Sequence, residues 1–174
     1  MGEAAMDADL GLLVLRLAIG PMLVLHGLNK IFGGGGLAGT AGWFESLGLR
    51  PGWMHARTAA FTEIGAGLLV SLGLLTGLCA LGFVGLMVVA TLTDHRGKGY
   101  FVFKGGCEYT VLVAMVAVAV AALGPGSWSL DHALGLDLAG TRWAIIAAVG
   151  GLVAALGHLA VFRRPERSSG GAHT

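Results

Sequence analysis

The stretch Leu25–Gly34, LHGLNKIFGG, sets His26 and Lys30 four residues apart, with Asn29 beside the lysine, inside an apolar run. Imidazole titrates near neutrality and an ammonium group carries three donors, so this pair can hold a polar ligand atom or pass protons. Glu63 is flanked by Phe61 and Ile64, and a carboxyl in such surroundings must be paired or neutral. Asp94 and Glu108 are carboxylates at the edges of further apolar runs, and Arg16 precedes His26 in the same run. Ionisable groups in hydrocarbon cost ~2.5–3.5 kcal/mol each on insertion scales, so they face the protein interior and find partners. At 100° per residue, Arg16, His26 and Lys30 fall within an arc of about 80°, so one helix face is polar along roughly 21 Å.

The elements that must position these groups follow from composition. The chain has 174 residues, 55% of them hydrophobic and 12% charged, with a net charge of +1, and a mean hydropathy of +0.79. Soluble domains carry about a quarter charged residues, so the chain is expected to be an all-α polytopic membrane protein. The basic residues form no stripe, which argues against a nucleic-acid partner. Apolar tracts run over Leu10–Phe32, Ala59–Thr93, Cys107–Leu123 and Trp143–Phe162. Ala59–Thr93 is far longer than one crossing of a ~30 Å hydrocarbon core requires, so it divides near Thr76-Gly77 into two antiparallel spans. Five spans result. The first is not a cleaved leader, because Glu3, Asp7 and Asp9 precede it instead of lysines.

Five spans place Lys30, Arg50, Arg57, Arg96, Lys98, Lys104, Arg163, Arg164 and Arg167 on one side, nine of the 11 lysines and arginines. Arg142 alone falls on the other. The chain is therefore expected in a cytoplasmic (inner) membrane with its N-terminus outside and its C-terminus in the cytoplasm. Cys79 and Cys107 then sit at opposite faces, too far apart for a disulfide. Gly33–Gly36 with the following LAGT reads as a mobile connector, Trp43–Leu47 as a short interfacial helix, and 163–174 as a short cytoplasmic tail.

Depth sorts the polar groups. His26, Lys30, Glu63, Asp94 and Glu108 converge from four helices near the cytoplasmic side, with Lys30–Glu63 the leading ion pair. Each of several has a plainer reading. Lys30 can snorkel to the headgroups, Glu108 can complement a helix N-terminus, and His26 can bond a backbone carbonyl.

These residues also carry a resemblance. Arg16, then H-G-x-x-K at His26–Lys30, W-F-x-x-L-G at Trp43–Gly48, Glu63 before a Gly-rich helix, G-G-x-E at Gly105–Glu108, and G-P-G-x-x-S-L-D at Gly124–Asp131 together resemble the DoxX family. The resemblance implies a DoxX-like four-helix membrane core over residues 10–135 in a bacterial protein; the apolar span at 142–162 extends beyond that core as an additional transmembrane helix. The motif order pairs Arg16 with Asp131 at the outer end. The resemblance also implies membrane redox chemistry, since relatives include a membrane subunit of a thiosulfate:quinone oxidoreductase.

Two functions compete at this stage. In one the chain is a quinone-linked redox subunit: His26, Lys30 and Asp94 contact the headgroup, and Glu63, His26 and Glu108 relay protons. The chain has no C-x-x-C-H, iron–sulfur or dinucleotide motif, so electrons come from a partner subunit. In the other it is a non-catalytic accessory or assembly subunit of a respiratory-type complex, whose buried charges fix helix register. A transporter, and a haem held by His26 and His158, are the remaining readings. Membrane lipids are partners in all of them.

Overall fold

A computed structural model describes residues 2–164 of the chain. Among these residues it is all-helical, apart from an isolated antiparallel bridge between Leu49 and Arg163. Helix α1 spans Glu3–Phe32 and begins ahead of the apolar tract, because EAAM supplies good helix formers with Glu3 complementing the positive helix end. Helix α2 spans Gly36–Ser46. The expected mobile connector is thus mostly helix, and only the link through Gly33–Gly35 is not; Gly35, at φ +95°, makes the turn that redirects the chain.

Helices α3, Gly52–Leu72, and α4, Thr76–Leu92, form the hairpin expected from Ala59–Thr93. The break falls just ahead of Thr76. Gly73 adopts φ +64°, and Leu74 N–H returns to Leu69 C=O at 2.8 Å, closing α3. Helix α5 spans Glu108–Leu123, and the short α6 spans Leu130–Ala133. Helix α7 spans Thr141–Phe162, with a widened π turn at Ile146–Gly150. Two of these, α1 and α7, are long and apolar enough to cross a membrane; α4 and α5 are apolar but shorter.

The core joins α1, α3, α4, α5 and α7 through Leu23, Val70, Phe83, Ala117 and Ala147. A second cluster, Phe44, Leu49 and Ala56, ties α2 to the start of α3. The α1–α3 seam is closest where glycines meet backbone. A β-carbon on Gly27 would sit 2.7 Å from the Ala60 carbonyl, and one on Gly67 would sit 2.5 Å from the Gly20 carbonyl. Small residues at such crossings let backbones approach and gain dispersion contacts. Large apolar side chains such as Leu25, Phe61, Leu112 and Val153 point outward.

At the opposite end of the bundle the expected Arg16–Asp131 ion pair does not form. Both groups are there, each only 1% exposed, but each bonds backbone groups instead of the other, and Arg16 Nε has no hydrogen-bond partner among the described residues. Asp131 accepts from Leu75 N–H at 2.7 Å and Thr76 N–H at 2.9 Å, capping α4. Arg16 donates to Trp128 C=O at 2.6 Å and Ser71 C=O at 3.2 Å. Orphan amides at a helix start favour a carboxylate, and orphan carbonyls at a helix end favour a cation, so Asp131 serves the start of α4 while Arg16 serves the last turn of α3 at Ser71 and the loop carbonyl of Trp128. Asp9 joins this end, accepting from Ser127 N–H at 2.7 Å and from its hydroxyl.

The end of α7 is stitched to the α2–α3 link. Arg50 N–H donates to Phe162 C=O at 3.2 Å, and Arg164 N–H donates to Gly48 C=O at 2.7 Å. Arg163 donates to Leu92 C=O at 2.8 Å. Of the expected tail 163–174, these two arginines are therefore tied down, and 165–174 lie outside the described residues.

Candidate functional site

The close α1–α3 seam decides where Lys30 points. The helices run antiparallel, and Glu63 itself faces Gly27, its Cβ 3.1 Å from where a β-carbon on that glycine would sit; Lys30, one turn further along α1, leans its side chain back toward the helix N-terminus and so meets the carboxylate. Lys30 Nζ lies 2.8 and 2.6 Å from the two carboxylate oxygens of Glu63. Glu63 is only 7% exposed as a residue. Thr40 Oγ1 donates to the Lys30 carbonyl at 3.0 Å, so α2 pins the end of α1 beside the pair. A charge pair this far from solvent needs such close two-oxygen contact to offset the loss of hydration.

Beside the pair opens a cavity of about 780 Å³ with walls from α1 to α5 and α7. His26, Lys30, Glu63 and Asp94 all line it, and the remaining wall is mainly apolar. His26 lies with its ring 6.1 Å from that of Tyr109, whose hydroxyl meets Met22 Sδ. Asp94 is held by Lys98 Nζ at 3.2 Å, a neighbour one turn along, and lies 3.9 Å from His95 Nε2.

Glu108 departs from the expected convergence. Its carboxylate accepts from Val102 N–H at 3.0 Å, in the loop before α5, and it is not part of the cavity wall. A carboxylate in the first turn of a helix has loop amides and the positive helix end within reach, and these outcompete a cavity farther away. His26 and His158 also keep separate company. The ring neighbours of His158 are His55 at 5.0 Å and Phe162 at 5.0 Å, and that of His26 is Tyr109.

The residue that sequence reasoning missed is His55. It is 4% exposed, in the first turn of α3, at the edge of the same cavity. Phe44, His158 and Phe162 surround its ring at centroid distances of 6.2, 5.0 and 5.2 Å. Its Nε2 is buried and has no hydrogen-bond partner among the described residues. One signal was present: His55, Ala59 and Glu63 share the i, i+4, i+8 spacing of a single helix face.

With this geometry in hand, comparison with known proteins places the chain. The DoxX family model matches residues 11–96, from α1 through α4. A protein of Bacillus subtilis (strain 168), "Putative oxidoreductase CatD", is 32% identical over 123 residues, covering 71% of this chain and 86% of that protein. The chain belongs to the DoxX family. No solved structure matches it. The matched region holds Arg16, His26, Lys30, His55, Glu63 and Asp94; the α5 and α7 walls of the DoxX cavity lie beyond the family model.

Proposed function

We propose that this DoxX protein is the membrane subunit of a quinone-linked oxidoreductase in a bacterial cytoplasmic membrane, multi-pass, with its N-terminus outside. The observation that carries this reading is the mainly apolar cavity of about 780 Å³ with the Lys30–Glu63 pair buried in its wall. Ligand sites of this size are typically apolar with a few polar groups that fix orientation. The residues fit a quinone-class ligand: apolar walls for the tail, His26 and Lys30 as donors, and the buried, unpartnered Nε2 of His55 at the cavity edge. The oxidoreductase name of the Bacillus subtilis relative supports the same class of chemistry.

A bound quinone supplies the capacity to take up electrons and protons; the chain's part is to hold the ligand and handle protons. Glu63 is the carboxyl within the cavity wall that can exchange a proton with Lys30 or His26. The electrons come from a partner protein carrying a redox centre. Purified protein is expected to yield quinone on solvent extraction, and Glu63→Gln or His26→Ala is expected to lose it. Quinone-free wild-type preparations would contradict the proposal.

A second reading is a non-catalytic accessory subunit of a respiratory-type complex. It is favoured by the Lys30 ammonium already engaging both Glu63 oxygens, as a structural pair would. Stoichiometric co-purification with such a complex, with normal turnover after the same substitutions, is its signature.

A further inference from the structure

We infer that the loop joining α4 to α5, residues 93–107, is seated in the membrane boundary, with its aromatic tip among the acyl chains and Arg96 and Lys104 on the phosphates of anionic lipids. This surface is separate from the proposed ligand site and stands whether or not a quinone binds. Three observations lead there. The first is helix length. Helices α4 and α5 have 17 and 16 residues, about 24–26 Å at 1.5 Å per residue, against a hydrocarbon core of ~30 Å. A span that short draws on apolar residues beyond its end or thins the bilayer. At one end neither helix continues in apolar residues: α4 starts from the tight turn after α3, and α5 stops at Gly124-Pro125-Gly126. At the other end the connecting loop runs Tyr100-Phe101-Val102-Phe103, with these side chains 53, 52, 54 and 78% exposed.

The second is that the loop is folded beneath these rings. The Glu108 carboxylate accepts from Val102 N–H at 3.0 Å, and His95 Nδ1 meets Gly105 C=O at 2.6 Å. Glu108 N–H donates to Tyr100 C=O at 2.8 Å, and Gly106 N–H to Phe101 C=O at 2.9 Å. Above this backbone the Phe101 and Phe103 rings stack at 5.4 Å, and Tyr100 stands edge-on to Phe101 at 5.8 Å. Contiguous apolar patches held outward in this way mark a surface that meets a membrane or a partner. The backbone stays at the headgroup level, where water reaches it, and only the rings enter hydrocarbon.

The third is charge. Arg96, Lys98 and Lys104 are exposed on the same loop. Asp94 engages Lys98 at 3.2 Å, whereas Arg96 and Lys104 have no carboxylate partner among the described residues. Lys104 Nζ stands 5.9 Å from the centre of the Phe103 ring, so ammonium and ring share one spot. Rings with cations beside them match the acyl boundary and the phosphate layer of an anionic leaflet. An acidic soluble protein would satisfy the cations but leave α4 and α5 short of the hydrocarbon thickness, so the lipid surface is the better fit.

Two measurements on the full chain test this. In the first, a nitroxide is attached to Phe103→Cys, with Cys79→Ala and Cys107→Ala, in nanodiscs of phosphatidylcholine and phosphatidylglycerol. The label is expected to collide freely with oxygen and to be shielded from a water-soluble nickel chelate. In the second, protein with its cysteines intact is titrated in detergent with either lipid and followed by native mass spectrometry, which decides the matter should the labelled chain fold poorly. Wild type is expected to bind phosphatidylglycerol more tightly than phosphatidylcholine. Arg96→Gln and Lys104→Gln are each expected to weaken phosphatidylglycerol binding about fivefold, the worth of one cation near an anionic surface, and to leave phosphatidylcholine binding unchanged. Arg142→Gln, at the opposite end, is expected to change neither. A label open to the chelate, or equal affinity for the two lipids, overturns the inference. A label open to the chelate until cytoplasmic protein is added overturns it as well, and assigns the patch to protein docking.

Discussion

Lys30 and Glu63 each make sense only because of the other. A carboxylate and an ammonium at 2.6 Å, with side chains only 10% and 15% exposed, offset desolvation through close contact. Removing one partner strands the other. Lys30→Met is therefore expected to destabilise the protein by about 3–5 kcal/mol, while Lys30→Met with Glu63→Leu returns close to wild type. Thermal unfolding in detergent checks this, and simple addition of the two single effects would show the pair to be uncoupled. Residue types alone identified this pair, since a lysine and a glutamate at similar depth on neighbouring helices have few other partners. The motif order misassigned Arg16 and Asp131, and depth misassigned Glu108, because sequence shows charges but not the backbone groups that compete for them. Asp131 found the amides of Leu75 and Thr76, and Glu108 found that of Val102.

Helix packing turns these residues into a site. The α1–α3 seam is set by Gly20, Gly27, Ala60 and Gly67, and it fixes the distance between Lys30 and Glu63. Gly27→Val puts side-chain carbons into the Ala60 carbonyl and Ile64, and is expected to cost about 1–3 kcal/mol and to weaken the ion pair. The paired readout is unfolding temperature together with quinone affinity, and a variant that keeps both would show the seam to be dispensable. The apolar tracts were legible because a run of such length has few alternatives, and the hairpin break missed only by a few residues. The extent of α2 was not legible, because Gly-Gly-Gly-Gly reads as a flexible link while LAGTAGWFES winds up once packed on α3. His55 was overlooked because a histidine among Trp53, Met54 and Arg57 reads as part of the interface. Its burial depends on Phe44 and Phe162, which are distant in sequence.

At the scale of the molecule, α7 is the least expected contributor. The resemblance to DoxX proteins left it as an extra helix, yet His158 and Phe162 close the cavity beside His55. The distribution of charge predicts how the whole is oriented. Cysteine introduced at Ser127, after replacing Cys79 and Cys107, is expected to react with a membrane-impermeant maleimide from outside intact cells, and cysteine at Arg96 only after lysis. The reverse pattern would contradict the proposed orientation, with the N-terminus outside.

The most direct measurement is photoaffinity labelling with an azido-quinone in native membranes, followed by mapping of the adducts. Labels are expected on cavity residues such as Met54, Met87 and Tyr109, and excess unlabelled quinone is expected to abolish them. Labels confined to outward-facing Leu25, Leu112 and Val153, and insensitive to competitor, would mean that the cavity beside Lys30 and Glu63 binds no quinone.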